Sequence, residues 1–92
     1  NPFSPDLQVT RLHYSTKNII NSSCNVSVKI LNFAMQPVRT LLNNAPRPSG
    51  AEYDEIWDGK DDRGNCVANG VYFYSITIQN KVPIWGKIIV VR

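Results

Sequence analysis

The sequence predicts an all-β fold: two antiparallel sheets of about seven short strands facing each other across an apolar core. Three observations predict it. Apolar residues recur with a period of two in short stretches, the pattern of half-buried strands. Turn signals separate those stretches at short intervals: Asn21-Ser22-Ser23, Asp58-Gly59, Gly64-Asn65, Asn69-Gly70, Asn80-Lys81 and Pro83. No stretch of about eleven residues or more carries apolar positions at the spacing of a helix face. Several strands have one polar face, so two facing sheets fit better than a closed barrel.

The elements follow in order. Residues 7–14 begin with Leu7 and Val9 inward, then change phase to Leu12 and Tyr14. Such a slip requires a bulge or a strand that changes sheets. Residues 24–30 put Cys24, Val26, Val28 and Ile30 on one face and Asn25, Ser27 and Lys29 on the other. Residues 38–42 form a short strand. Residues 43–50 hold Pro46, Pro48 and Gly50 and read as an irregular loop, with room for a seventh strand within residues 44–53. Residues 52–57 are half charged and suit an edge. Asn69-Gly70 then leads into the clearest strand, residues 71–79. Tyr72, Tyr74, Ile76 and Ile78 share its inner face; Val71, Phe73, Ser75, Thr77 and Gln79 share the outer one. Residues 84–91 are apolar on both faces apart from Lys87, which predicts a strand deep in a sheet.

Ninety-two residues make one domain, residues 1–92, with a thin core. A chain that is 42% hydrophobic and 18% charged folds rather than staying disordered. No apolar run approaches the roughly 18 residues that span a bilayer, so no transmembrane segment is expected. The net charge of +3 comes from ten scattered basic residues. That scatter lacks the concentrated footprint of a nucleic-acid reader. The opening Asn1-Pro2-Phe3 has no methionine and no signal-peptide pattern, and reads as the start of a module excised from a larger protein. Cys24 and Cys66 are too few for a disulfide scaffold. One bridge between them would stabilise the fold by about 3–4 kcal/mol. It requires Cα atoms within about 7 Å, so the sequence leaves their pairing open.

No constellation of catalytic residues stands out, and no metal or cofactor is expected. Asp58, Asp61 and Asp62 crowd one loop, as calcium ligands do. Lys60 and Arg63 occupy the positions where an EF-type loop needs an oxygen ligand and a glycine, so these carboxylates are expected to accept hydrogen bonds from their own turn. His13, Cys24 and Cys66 fall one short of a structural zinc set and are not paired in sequence. No serine or cysteine sits in a nucleophile motif with His13, which reads as a surface residue. Trp57, Trp85, Tyr53 and Phe73 fit packing roles, with Trp85 the best surface candidate for stacking on a sugar. The sequons at Asn21 and Asn25 are chance matches in a chain rich in Asn and Ser.

One resemblance covers nearly the whole chain. Trp57-Asp58-Gly59-Lys60-Asp61-Asp62-Arg63-Gly64, followed by Val67, Asn69-Gly70-Val71-Tyr72 and Tyr74, resembles the signature of the FlgD-type Ig-like domain. Asn1-Pro2-Phe3-Ser4-Pro5 matches the start of that module, and residues 26–32 with 38–41 match its central hairpin. The hairpin turn departs from the pattern: Ala34-Met35-Gln36-Pro37 stands where a glycine is usual. The inserted second domain common in flagellar cap proteins is missing, which argues against a hook-capping role. The end of the chain is similar to type IX secretion sorting domains. Gly70-Val71-Tyr72 matches their Gly-x-Tyr element, and Gly86, Lys87, Ile88, Val90 and Arg92 match their final hydrophobic strand with its basic end.

The resemblance implies an immunoglobulin-like, fibronectin type III-like sandwich. In it Trp57, Asp58, Gly59, Asp62, Gly64, Gly70, Tyr72 and Tyr74 are structural. It also implies a non-catalytic C-terminal module of a bacterial extracytoplasmic protein, secreted, periplasmic or on the cell surface. Such a module acts as spacer, docking surface or export and anchoring signal. Its partners would be other domains of the parent protein and secretion or cell-surface machinery. Two alternatives are a carbohydrate-binding accessory domain of a secreted hydrolase and a flagellar-hook scaffold.

Overall fold

The computed structural model describes residues 2–4, 9–79 and 81–92, with Phe3 described by its backbone. The described residues are all β, in seven strands: β1 (Pro2–Phe3), β2 (Thr10–Ser15), β3 (Ser23–Asn32), β4 (Pro37–Pro48), β5 (Glu52–Trp57), β6 (Gly70–Ile78) and β7 (Ile84–Val90). Four antiparallel strands make the larger sheet, in the order β7-β6-β3-β4, with the two-residue β1 added parallel to the end of β7. β2 and β5 pair antiparallel as a second sheet. The two sheets share one core, the arrangement of a β-sandwich.

The alternation read in residues 24–30 and 71–79 holds. Cys24, Val26, Val28 and Ile30 are buried, as are Tyr72, Ile76 and Ile78, and Tyr74 packs against them half-buried. β3 and β6 lie side by side, with Val28 opposite Ile76 and Ile30 opposite Tyr74. From the other sheet, Leu12, Tyr14 and Trp57 close the core. Tyr14 and Tyr53, directly opposed across β2 and β5, stack at 5.5 Å. Ser75 is buried although it points outward. It is the small residue between Lys29 and Trp85, its two cross-strand neighbours, whose larger side chains shield it.

Three expectations are corrected. The strand expected at residues 38–42 runs twelve residues and absorbs most of the expected loop at 43–50. β3 offers backbone partners along its whole length, and bulges near Val28 and Ile30 take up the irregularity. The Ser27 hydroxyl accepts the backbone N–H of Asn44 at 2.9 Å, and Asn44 itself lies at φ 54. Prolines fit here because β4 is an edge strand. Residues 44–48 are therefore the second half of β4 rather than a separate strand.

The final strand is not deep in its sheet. Among the described residues β7 pairs with β6 on one side and, on the other, with two residues of β1, opposite Ile89 and Val90. Its outer residues are therefore not buried on a second face, and Trp85 is 52% exposed. The phase slip expected in residues 7–14 is also absent within β2. Leu12, Tyr14 and Thr16 are buried in simple alternation, while Val9 lies outside the strand and is 44% exposed. Leu7, Asn1 and Pro5 lie outside the described residues. Residues 52–57 do form an edge, as their charge predicted.

Two further contacts tie the sheets together. Arg47 of β4 reaches Glu55 of β5 at 3.5 Å, and the Tyr14 hydroxyl donates to the same carboxylate at 2.6 Å. Burial, then this bond to Glu55, pushes the Tyr14 phenol well above its usual range. Thr16, fully buried, follows β2. Its hydroxyl lies 3.1 Å from the carbonyls of Pro48 and Ala51 and 3.1 Å from the N–H of Ala51.

Candidate functional site

The signature segment builds one corner of the sandwich. Trp57 ends β5 with its ring wholly buried and its indole N–H donating to the Lys60 carbonyl at 2.9 Å. Gly59, buried at φ 79, turns the chain where a side chain would be strained. Asp58 then accepts the Lys60 N–H at 3.0 Å, a local turn bond. Asp61 accepts the N–H groups of Arg63 and Asn65 at 3.0 and 2.9 Å, and Gly64 donates back to the Asp61 carbonyl. These bonds close a miniature hairpin whose stem pairs Lys60 with Cys66.

Asp62 fastens that hairpin to β4. Its N–H donates to the Val38 carbonyl at 3.0 Å, and its carboxylate accepts the Thr40 N–H at 2.9 Å. The Arg39 guanidinium lies over the same loop, 3.3 Å from Asp58 and 3.1 Å from the Lys60 carbonyl. Asp58 and Asp61 thus accept backbone N–H groups of their own turn, as the turn chemistry predicted, whereas the Asp62 carboxylate accepts from β4 instead. Val67 plugs the corner from below, and its N–H donates to the Gly59 carbonyl.

β6 rises from this corner. Gly70 opens it, and the Tyr72 hydroxyl reaches back to the Ala68 carbonyl at 2.7 Å. The Tyr72 ring meets Trp57 edge-on at 5.6 Å. Tyr74 lies against Gly86, its partner on β7. A Cβ placed on Gly86 would fall 2.1 Å from the Tyr74 ring, so only glycine fits beneath it. The sequence pairs these two residues in no visible way; only the register of β6 against β7 brings them together.

The residues of the expected recognition strand divide by face. Ile88 and Val90 are core residues, and Gly86 is the seat of Tyr74. Arg92 is docked onto the signature corner: its N–H donates to the Asn69 side chain at 3.0 Å and its guanidinium to the Val67 carbonyl. Lys87 stands in solvent, two residues from exposed Trp85 on the same outer face of the strand. The cross-strand rows there read Lys29, Ser75, Trp85 and Leu31, Phe73, Lys87. Phe33, 74% exposed, stacks on Phe73 at 6.1 Å. No aspartate or glutamate occurs anywhere in β3, β4, β6 or β7. The face is consequently basic and aromatic, with no acid of its own to neutralise Lys29 and Lys87.

Two other places carry polar chemistry. A shallow groove of about 560 Å³ beside the corner hairpin is lined by Asn32, Val38, Asp61, Arg63, Cys66 and Tyr72. Cys66 is an exposed free thiol, whereas Cys24 is buried with its own thiol near the Arg47 carbonyl, so the two do not bridge. His13 lies on the opposite sheet. Its Nδ1 is 2.8 Å from Asp54 and its Nε2 is 2.9 Å from Glu52. Asp54, then Glu52, raise the His13 pKa above its ordinary value, and Lys17, then His13, hold Glu52 below its own. The two ring nitrogens point to different carboxylates, so this is a charge bridge between strands and not a convergent metal set. Among the described residues no group of three or more His, Cys, Asp or Glu converges on a cation position. Nor is any helix among them long and apolar enough to cross a membrane. No family model matches the chain, and neither a curated protein nor a solved structure matches it.

Proposed function

We propose that the chain is a non-catalytic immunoglobulin-like module of a bacterial extracytoplasmic protein. Its task is docking, as an export or cell-surface anchoring signal or as a spacer that binds its neighbours. One observation carries the docking role. Trp85 and Lys87 stand outward on the last strand, beside Phe73 and Phe33, on a face with no acidic residue in any of its four strands. None of the four is among the buried core residues, so packing alone does not account for them.

Two features support the immunoglobulin-like identity. The order β1-β7-β6-β3-β4 facing β2-β5 is the order A-G-F-C-C′ facing B-E of such sandwiches. Tyr72, near the start of the F-equivalent strand, bonds back to the backbone of Ala68 as a tyrosine corner does. The exposed aromatic residues also support a second reading, a carbohydrate-binding face with Trp85 as its platform.

The test is a fusion of residues 1–92 to a periplasmic reporter in a host with type IX secretion. Export of the reporter is expected, and the change Lys87→Glu should cut it about tenfold without lowering the melting temperature. A reporter that stays periplasmic overturns the export role. Quenching of tryptophan fluorescence by a soluble glycan, abolished by Trp85→Ala, would decide for the carbohydrate reading.

A further inference from the structure

A sheet edge is a row of unpaired backbone donors and acceptors, and folded proteins ordinarily protect it. This molecule protects most of its edges in recognisable ways. β4 carries Pro37, Pro46 and Pro48 and is broken by bulges. β2 and β5 are six residues long and carry Arg11 and His13, and Glu52, Asp54 and Glu55. The outer edge of β7 differs. Among the described residues β1 covers it only at Ile89 and Val90, leaving residues 84–88 without a strand beside them. That stretch, Ile84-Trp85-Gly86-Lys87-Ile88, contains no proline and a single charge.

The geometry points to a second copy of this chain as the occupant: two β7 edges pair antiparallel about a twofold axis at Gly86. Among the described residues the open stretch is five residues long and Gly86 is its midpoint, so symmetric pairing about that residue uses all of it. In that register Ile84 faces Ile88 of the second copy, and Trp85 faces its Lys87, twice over. Directly opposed residues in antiparallel strands share a face. Each ammonium therefore lies against an exposed indole, a favourable cation–π arrangement. Half-exposed Ile84 gains an apolar neighbour on the inner face. Gly86 meets Gly86, so no side chain obstructs the axis. Moving the axis to Lys87 would set two ammonium groups face to face, so the one charge on this edge excludes that register. Self-complementary twofold contacts of this kind are the commonest in homo-oligomers. The contact uses the edge of β7 and does not depend on the docking role proposed for its face.

Sedimentation of the 92-residue chain from micromolar to millimolar concentration tests this, with reductant present so that Cys66 cannot cross-link. A reversible monomer–dimer equilibrium is expected. The amide resonances of residues 84–88 should shift with concentration while those of β4 do not. Trp85→Lys sets like charges together at both contacts and should weaken the dimer at least about tenfold. Trp85→Glu sets Glu against Lys and should leave affinity within about threefold. Position 85 is half-exposed, so both variants should keep the wild-type melting temperature. The proposal is overturned by a chain that stays monomeric at millimolar concentration. It is equally overturned if the two variants lose the dimer alike, or if the amides of 84–88 do not respond.

Discussion

Ile76 and Thr77 are neighbours with opposite duties. Ile76 is fully buried opposite Val28, while Thr77 faces outward opposite Ser27. Ile76→Ala should cost about 2–5 kcal/mol, because it removes buried methyl groups and leaves a cavity. Thr77→Ala should cost under about 1 kcal/mol. Urea denaturation of the two variants checks this, and equal costs would contradict the facing. Position-by-position alternation of this kind was readable from the sequence, since a strand's faces follow from its own residues. The seat of Tyr74 on Gly86 was not readable, because it rests on a register between residues twelve positions apart. Met35 shows a third case. It occupies the left-handed region at φ 64, in the hairpin turn where the resemblance anticipated a glycine. Asn32 holds that turn by accepting the N–H groups of Ala34 and Gln36.

The two-stranded sheet carries a pH-dependent bridge. His13 bridges Asp54 and Glu52, and both its nitrogens can donate only when the ring is protonated. Its folded pKa is raised above the ordinary 6.5. The stabilisation is therefore complete below that ordinary value and is lost as pH rises through the higher folded value. The melting temperature should fall slightly over that window, and His13→Ala should flatten the dependence between pH 6 and pH 8, roughly the histidine range. The bridge lies in solvent, so the effect is small. A profile that His13→Ala leaves unchanged would assign it to another group. The charged character of β5 and its edge position were legible, because charge at alternate positions marks an exposed strand. That His13 would meet Glu52 and Asp54 was not, since the pairing joins residues about forty positions apart.

At the scale of the whole molecule, the sheets are joined by a few polar contacts as well as by the core. The Thr16 hydroxyl is the most buried of them, linking the end of β2 to the turn between β4 and β5. Thr16→Val keeps the shape but leaves the Ala51 N–H without that acceptor. It should cost about 1–3 kcal/mol, the penalty of an unmet buried polar group, read as a lower denaturation midpoint. A neutral result would show that the turn can rearrange to satisfy itself. Nothing in the sequence marks Thr16 as special, because its partners lie more than thirty residues away. The candidate site divides in the same way. The turn roles of Asp58 and Asp61 were legible because an aspartate caps backbone groups within four residues of itself. The clamp of Asp62 on β4 and the docking of Arg92 on the corner were not. By itself the sequence determined the all-β class, the turns and the inward faces of β3 and β6, since alternation and turn chemistry are local. Only the tertiary structure decided how far β4 extends, that β7 is bordered among the described residues by β6 and the short β1, and which outward residues gather on one face. Those outcomes depend on which strands become neighbours, and neighbours are chosen by burial of the whole core rather than by any one segment.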